Sequence, residues 1–474
     1  MKNKEKKLTV FKDVEIIDAG AKGKAVAKIN EKVVFVNYAA PGDIVDLQIT
    51  KNRKNFMQGK IIKFHKYSDK REKPLCEHFG LCGGCKWQHI KYEYQLFYKQ
   101  KQIQDNLKRI GKFEMPKLMP IIPSKKTKYY RNKLEFSFSD RKWLTNYDKN
   151  VNLENKNMNG LGFHIPNIFD KIIDIKHCYL QKEPSNAIRL AIKKYAVDNK
   201  LTFYNAKKHT GFLRNLLIRN TSLGDIMVIM VFNYYDNAEI KKMLNFIYST
   251  FPEITSLMYI INKKLNDSIS DQKVELYKGN TYILEKMEDI EFKISALSFY
   301  QTNSEQAYQL YKVVRDFADL KGKEIVYDLY TGTGTIANFI AENTKKVIGI
   351  EYLNTAIKDA KENSKINKIN NTLFFAGDIS KVLNDDFVKD NGFPDIIITD
   401  PPRTGMHKNV ITQILKIAPE KIIYVSCNSA TQARDISMMT EKYSVKAIQP
   451  VDMFPHTHHV ENVVLLKKDT NNYV

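Results

Sequence analysis

The chain has 474 residues, 43% of them hydrophobic, and carries 75 lysines and arginines against 53 acids for a formal charge of +22. That length holds two to four domains, and no apolar run is long enough to span a bilayer. The charge calls for a polyanionic partner, nucleic acid first and an anionic membrane surface second. Met1–Lys7 is charged but lacks an apolar core, so no secretory signal is expected and a cytoplasmic location is. Next, Val14–Ile17, Val33–Val36 and Ile44–Ile49 read as short strands, with turns at Gly20, Gly23 and Pro41-Gly42. They predict a small β-barrel over residues 1–64. Lys51, Arg53, Lys54 and Lys60 make its later part basic, as in many nucleic-acid modules. A structural cap is the alternative.

A polar linker, His65–Pro74, leads to Cys76-Glu-His-Phe-Gly-Leu-Cys82-Gly-Gly-Cys85. The glycines let the backbone wrap so that three sulfurs converge. In a reducing cytosol these thiols are not expected to form disulfides. Three thiolates want a fourth ligand, and Cys178 is the cysteine available besides Cys427. Four thiolates suit a 4Fe-4S cluster or a structural zinc. Zinc sites usually pair thiols two and two, so the three-plus-one spacing favours iron–sulfur. Four thiolates leave no open iron for radical chemistry, so the expected role is structural.

A central α+β domain is expected over residues 65–290. Tyr92–Arg109 reads as a helix. Lys125–Phe138 interleaves cations and aromatics in a strand-like alternation. Aromatics stack bases and cations hold phosphates, so Lys126, Arg131 and Lys133 are candidate RNA contacts. A solvated basic edge strand is the plain alternative. Phe212–Arg219 and Asp225–Val231 read as paired strands, 236–250 as a helix, and 251–290 as short strands and turns.

From 291 to the end strands and helices alternate, as in a doubly wound α/β sheet. The strands are Ile325–Tyr330, Lys346–Ile350, Thr372–Ala376, Asp395–Thr399 and Lys421–Ser426, with helices at Thr335–Asn343 and Thr355–Asn367 and a late strand within 458–467. In such sheets ligands sit at the carboxyl ends of the strands. Gly332 and Gly334 form a turn after the first strand, which could serve a dinucleotide or only tight packing. Glu351, Asp378 and Asp400 close the next three strands. One acid per strand end suits a nucleoside without a pyrophosphate, and S-adenosylmethionine fits better than NAD. Each acid taken singly could simply cap a helix.

Asp400-Pro-Pro-Arg403 and Val425-Ser-Cys427 bear on the reaction. Amino-methyltransferases carry an aromatic where Arg403 stands, and an exocyclic amine needs no thiol. A pyrimidine C5 does, because it becomes nucleophilic only after a thiolate adds to C6. Cys427 is thus a candidate nucleophile, with a small buried hydrophobe as the alternative. The base must come from His456, His458, His459 or Glu461, and Glu461 is the better choice.

Taken together, Cys76-x5-Cys-x2-Cys85 with Cys178, Ser298-Phe-Tyr-Gln-Thr-Asn303, Asp328-Leu-Tyr-Thr-Gly-Thr-Gly334, Asp400-Pro-Pro-Arg-Thr-Gly405, Val425-Ser-Cys-Asn428 and His458-His-Val-Glu461 resemble the uracil-C5 RNA methyltransferases. The resemblance covers nearly the whole chain and is closest to the ribosomal-RNA branch, which carries a TRAM barrel and an iron–sulfur cluster. It implies Gln301, Tyr330, Glu351 and Asp400 at the cofactor, Cys427 as nucleophile and Glu461 as base. Gly332 and Asp378 complete the expected cofactor set, and Arg403 is expected at the uracil. Phe299-Tyr300-Gln301-Thr302-Asn303 and Tyr330-Thr331-Gly332 depart conservatively from the family pattern. The expectation is a monomeric 23S rRNA methyltransferase. Transfer-RNA and cytosine-C5 enzymes, and a non-catalytic assembly factor, are the alternatives. Cytosine enzymes carry a cysteine where Arg403 stands.

Overall fold

The computed structural model describes residues 9–144 and 157–469. The charged stretch at 1–7 lies outside the described residues. Strands β1 (Val10–Ala19), β2 (Ala25–Ile29), β3 (Lys32–Val36), β4 (Ile44–Asn52) and β5 (Phe56–Lys66) close into a barrel in the order β1-β2-β3-β5-β4. Alternating side chains fill it: Ile16, Ala27, Val34, Val36, Val45 and Leu47 are fully buried. β2 escapes a sequence reading because two of its inward positions are alanines. Asp43, buried, accepts from Arg71 Nε and Nη2 at 2.7 Å each and from Ser68 N at 2.9 Å, which fixes the linker to the barrel.

Helix α1 (Tyr92–Asn106) continues into one π-helical turn, Leu107–Gly111. Then follow β6 (Lys133–Ser139), β7 (Gly160–Ile165), β8 (Ile168–Asp174), α2 (Ser185–Asp198), β9 (Leu213–Asn220), β10 (Ile226–Phe232), α3 (Asn237–Thr250), β11 (Ser256–Ile261) and β12 (Val274–Gly279). They build a seven-stranded sheet, β12-β11-β10-β9-β6-β7-β8. Helices α2 and α3 cover one face with Ile188, Ile192, Ile240, Met243 and Ile247 against Phe136, Phe138, Val228 and Met230. The strand-like reading of Lys125–Phe138 holds only from Lys133. Before it the backbone donors are committed elsewhere: Tyr129 N to Tyr179 O, Arg131 N to Leu180 O and Asn132 N to Thr302 O, at 2.7, 2.7 and 2.8 Å.

A hairpin, β13 (Tyr282–Met287) with β14 (Ile290–Ser295), leads into the last unit. Its elements are α4 (Ser304–Ala318), β15 (Ile325–Leu329), α5 (Thr335–Ile340), β16 (Lys346–Glu351), α6 (Asn354–Ile366), β17 (Thr372–Ala376), α7 (Ile379–Val382), α8 (Asp385–Asn391), β18 (Ile396–Thr399), α9 (Lys408–Ile417), β19 (Lys421–Ser426), α10 (Ser429–Ser437), β20 (Tyr443–Val451) and β21 (Glu461–Lys468). The sheet order is β17-β16-β15-β18-β19-β21-β20. The first five strands run parallel, and β21 is antiparallel to both its neighbours. Both faces are covered, which is why these strands read as unbroken apolar runs. The chain reverses its winding between β15 and β18, and the crevice outside that switch point is where ligands bind in open α/β sheets. Among the described residues no helix is long and apolar enough to cross a membrane.

Candidate active site

Directly after β15 comes Tyr330, a non-glycine residue at φ +63°. L-residues pay steric strain there, and such strain concentrates at functional sites. The turn continues through Thr331, whose hydroxyl donates to Asp328 Oδ2 at 2.5 Å, to Gly332 and Gly334. Gly334 sits at φ +72°, and a Cβ there would lie 2.9 Å from Ala360 Cβ. Gly332, at φ +55°, faces open space: a Cβ would meet nothing within 4 Å. Glu351, at the end of β16, reaches back to this turn and accepts from Gly332 N at 3.3 Å and Leu353 N at 3.0 Å. Tyr330, Gly332 and Glu351 therefore form one cradle.

Asp378 is spent differently. It caps α7, accepting from Ser380 N at 2.9 Å and Ser380 Oγ at 2.7 Å. It still lines a cavity of about 650 Å³ with Tyr330, Tyr352, Pro402, His407 and Arg434. Gln301 lies in the segment before α4, and its carbonyl accepts from Asn132 Nδ2 at 2.9 Å. A further acid, Asp328, is 1% exposed and its Oδ1 has no hydrogen-bond partner. An acid inside an apolar strand was the sequence signal that could have given it a role. Burial pushes both Asp328 and Asp400 up to about 7; Glu351 adds to the first shift and Asp328 to the second.

Cys427 and Glu461 meet through strand register. β19 pairs antiparallel with β21, with Ser426 opposite Asn462. That pair closes the ladder, so Cys427, the residue after β19, and Glu461, the first residue of β21, both lie beside it. Glu461 is 5% exposed. Burial pushes its carboxyl up to about 8; Asp400 adds to this and Arg403 opposes it. Burial also pushes the Cys427 thiol up to about 11, with Glu461 and Asp400 adding, while Arg403 lowers it by charge and by a hydrogen bond. Arg403 is itself positioned: its carbonyl accepts from Asn428 Nδ2 at 2.9 Å and Thr431 Oγ1 at 3.3 Å, at the start of α10.

The segment 452–460 ahead of Glu461 is tied to every part of the molecule. Asp452 pairs with Lys99 at 2.6 Å, both side chains fully buried, and accepts from Tyr92 OH at 2.7 Å. His456 O accepts from Lys86 N and Trp87 N at 2.8 and 2.9 Å, directly beside Cys85. Asn303 Nδ2 donates to Met453 O at 2.9 Å, and Gln306 Nε2 to Asp452 O at 2.8 Å. Burial depresses His456 and His458 to about 4 and His459 to about 3. None of the three is a strong base.

Cys76, Cys82, Cys85 and Cys178 line one cavity of about 140 Å³. Burial pushes Cys82 and Cys85 up to about 12, and the neighbouring thiols add to both shifts. Cys178 N donates to Asn186 Oδ1 at 2.8 Å, and Cys76 N to Gln88 Oε1 at 3.1 Å. Among the described residues, the trio Asp13, Asp46 and His65 is the one group of possible metal ligands whose atoms all lie within 4.8 Å of one another. No three of the four sulfurs are that close.

The three candidate RNA contacts are not one patch. Lys126 is exposed and paired with Glu305 at 2.9 Å. Arg131 stacks on Phe454 at 5.3 Å and lines the cysteine cavity. Lys133, on β6, sits beside Arg219 and Glu135, and burial lowers its ammonium.

The tRNA (Uracil-5-)-methyltransferase model matches residues 261–469, and the TRAM domain model matches 11–62. A relative from Bacteroides thetaiotaomicron, named an uncharacterized RNA methyltransferase, is 54% identical over 94% of this chain and 99% of its own. One of the same name from Porphyromonas gingivalis is 51% identical over 96% of this chain and 100% of its own. The crystal structure of Pyrococcus abyssi tRNA (uracil-54, C5)-methyltransferase with S-adenosyl-L-homocysteine superimposes with a TM-score of 0.73 at 27% identity, covering 96% of this chain and 100% of that one. The chain belongs to the tRNA (uracil-5-)-methyltransferase family of RNA methyltransferases, with a TRAM barrel at its N-terminal end.

Proposed function

We propose that this chain methylates C5 of a uridine in RNA, with 23S rRNA as substrate and S-adenosylmethionine as methyl donor. The observation that carries the reading is that Cys427 and Glu461 flank the last paired residues of β19 and β21, with Glu461 and Arg403 both acting on the thiol. The donor site fits this chain's residues. Asp328 Oδ1 is buried without a partner, and burial holds both Asp328 and Asp400 far above ordinary carboxylates. A sulfonium and ammonium ligand answers both, while Glu351 beside Gly332 suits ribose hydroxyls. When bound, S-adenosylmethionine supplies an electrophilic methyl group.

The protein's part is nucleophile, base and positioning. Arg403 favours the Cys427 thiolate, which adds to C6 of the uracil and leaves electron density on C5. Once C5 carries the methyl group, Glu461 removes the C5 proton. The electron pair returns to the ring as the bond from Cys427 to C6 breaks. The buried histidines are far weaker bases than a carboxylate held near 8, which supports Glu461 in this role.

Four thiols around one cavity suit a 4Fe-4S cluster. A single tetrahedral zinc would draw the sulfurs to roughly 3.8 Å of each other, given Zn–S near 2.3 Å. Their wider spread supports the larger group. Its place under the segment 452–460 supports a structural role. The barrel lysines and exposed Lys126 are proposed as phosphate contacts. The cell compartment is proposed to be the cytoplasm, and the active form a monomer.

A second reading, transfer RNA, is favoured by the Pyrococcus neighbour, which shares nearly the whole architecture. Mapping 5-methyluridine in 23S rRNA and tRNA from cells with and without the gene decides between them. Loss confined to 23S rRNA supports the first reading, loss in tRNA the second, and loss in neither removes the proposed reaction.

A further inference from the structure

The central sheet carries a second cleft that the methylation chemistry does not use. On β6, Lys133, Glu135, Ser137 and Ser139 share one face; the first three pair with Arg219, Leu217 and Asn215 on β9, and Ser139 with Gly160 on β7. One end of this face abuts the segment leading to the proposed cofactor site: Arg219 Nη2 donates to Ser298 O at 2.7 Å, and Asn132 to Gln301 O at 2.9 Å. The other end, about 20 Å away at the rise of a strand, opens into a cleft of about 660 Å³. Phe169, Asn215, Ser137, Ser139 and Lys207 are among its walls.

Three features point to a ligand. Phe169 keeps a whole aromatic ring at the cleft 67% exposed. Asn215 is 3% exposed; its Nδ2 donates to Ser137 Oγ at 3.3 Å, but its Oδ1 has no partner. A buried acceptor left unpaired is costly, and native structures rarely keep one without a use. Ser139 Oγ accepts from Arg141 N at 3.1 Å and keeps its hydrogen to donate. The acids of the cleft do not repel a polyanion. Asp170 is paired with Arg141 and Lys207 at 3.2 Å each, and Asp267 with Arg214 at 3.1 Å.

We infer that this cleft receives one unpaired nucleobase of the RNA whose target uridine lies at Cys427, the ring stacked on Phe169 and a base N–H donated to Asn215 Oδ1. The inference rests on the reading of the chain as an RNA methyltransferase. The two sites lie along one sheet, so a strand entering the catalytic crevice is held a few nucleotides away by a base rather than by phosphates alone. Recognition of this kind is how proteins usually read single-stranded RNA.

The test uses full-length protein and fluorescent 12-mers of oligo(A), oligo(C) and oligo(U) beside an abasic ribose-phosphate 12-mer, with binding read by anisotropy. Phe169→Ala is expected to weaken the base-bearing oligomers by about 5- to 100-fold, the usual span for one lost stacking contact, and to leave the abasic oligomer unchanged. Asn215→Leu should do the same more mildly. Methylation of 23S rRNA by Phe169→Ala should show a raised KM and an unchanged kcat. Equal effects on base-bearing and abasic oligomers, or no effect on either, would overturn the subsite. A base-selective loss in a protein that methylates no RNA would keep the subsite and overturn the reaction. Normal methylation by a Phe169→Ala protein indifferent to bases would do the reverse.

Discussion

The five cysteines occupy two kinds of surroundings. Cys76, Cys82, Cys85 and Cys178 face one another across a small cavity walled by Phe163, Leu134 and Ile175. Backbone groups are fixed around them, and each thiol raises its neighbours' pKa. Cys427 stands alone just past the end of β19, with the Arg403 guanidinium and the Glu461 carboxyl both acting on it. All five are pushed towards the neutral thiol by burial. The difference lies in what could pull each back. In the proposed reading that is a shared cationic centre for four of them and, for the fifth, a guanidinium that a substrate can approach. A ligand set and a nucleophile thus differ less in the sulfur than in whether a base and an open crevice share its strand end.

The largest way to break this contrast is Cys427→Ala. It removes the bond-forming atom, so methyl incorporation into RNA should fall to background while iron content and RNA affinity stay as in the wild type. Retained methylation would end the distinction between the two classes of thiol. Next comes Glu461→Gln, expected to slow turnover by ~10²–10⁴-fold, the usual weight of one general base. Because addition to C6 and methyl transfer precede proton removal, a denaturation-resistant protein–RNA band carrying labelled methyl should accumulate. It should vanish when Cys427→Ala is added. An adduct that survives without Cys427 would refute the assignment.

Cys178→Ala probes the other environment. Purified anaerobically, the wild type should carry iron and sulfide in equal amounts, and the variant neither, with a lowered Tm. Stoichiometric zinc without iron would instead make the cavity a zinc site. A smaller effect separates the environments by pH. As the proposed base, Glu461 must be ionised, so kcat/KM should rise with pH and bend near 8. The stability sign is opposite. The folded carboxyl holds its proton up to about 8, against an ordinary value of 4.5. Its contribution to stability is therefore complete below about 4.5 and is lost as pH rises through about 8. Glu461→Gln should flatten both profiles, and a profile that ignores the substitution would assign the titration elsewhere. The mildest change is Arg403→Gln, which should move alkylation of Cys427 by iodoacetamide upward by about one pH unit. Cluster cysteines should be untouched by it.

Much of this was legible before any coordinates. Alternating residues gave the barrel, and the five apolar runs with acids, glycines or a cysteine at their ends gave the parallel sheet and one rim. The spacing at Cys76–Cys85 marked the thiol group. What sequence periodicity could not carry was long-range pairing. The alternation at Lys125–Phe138 predicted a full strand, but residues 129–132 hydrogen-bond to Leu180 and Thr302. Lys133 looked like a surface cation and instead pairs with Arg219 on the neighbouring strand, because its strand is central rather than at an edge. Asp378 looked like its neighbours Glu351 and Asp400, yet a serine two residues on claims its carboxylate. That Cys427 and Glu461 share one strand end depends on β21 inserting antiparallel between β19 and β20, which local pattern does not encode.

The buried pair of Lys99 and Asp452 joins residues 353 positions apart, and this bears on how the chain is made. During synthesis the barrel, the first three cysteines and α1 leave the ribosome long before their anchor exists. Until the last segment arrives, Lys99 has no counter-ion, and a lone ammonium is too costly to bury. Helix α1 must therefore wait undocked, its apolar positions available to chaperones, while the central sheet forms. Closing so long a loop is slow, and large chains fold unit by unit. The catalytic crevice is thus completed last, by the act that fastens the two ends of the chain together, and a nascent enzyme holds no assembled active site before its C-terminal strands are in place.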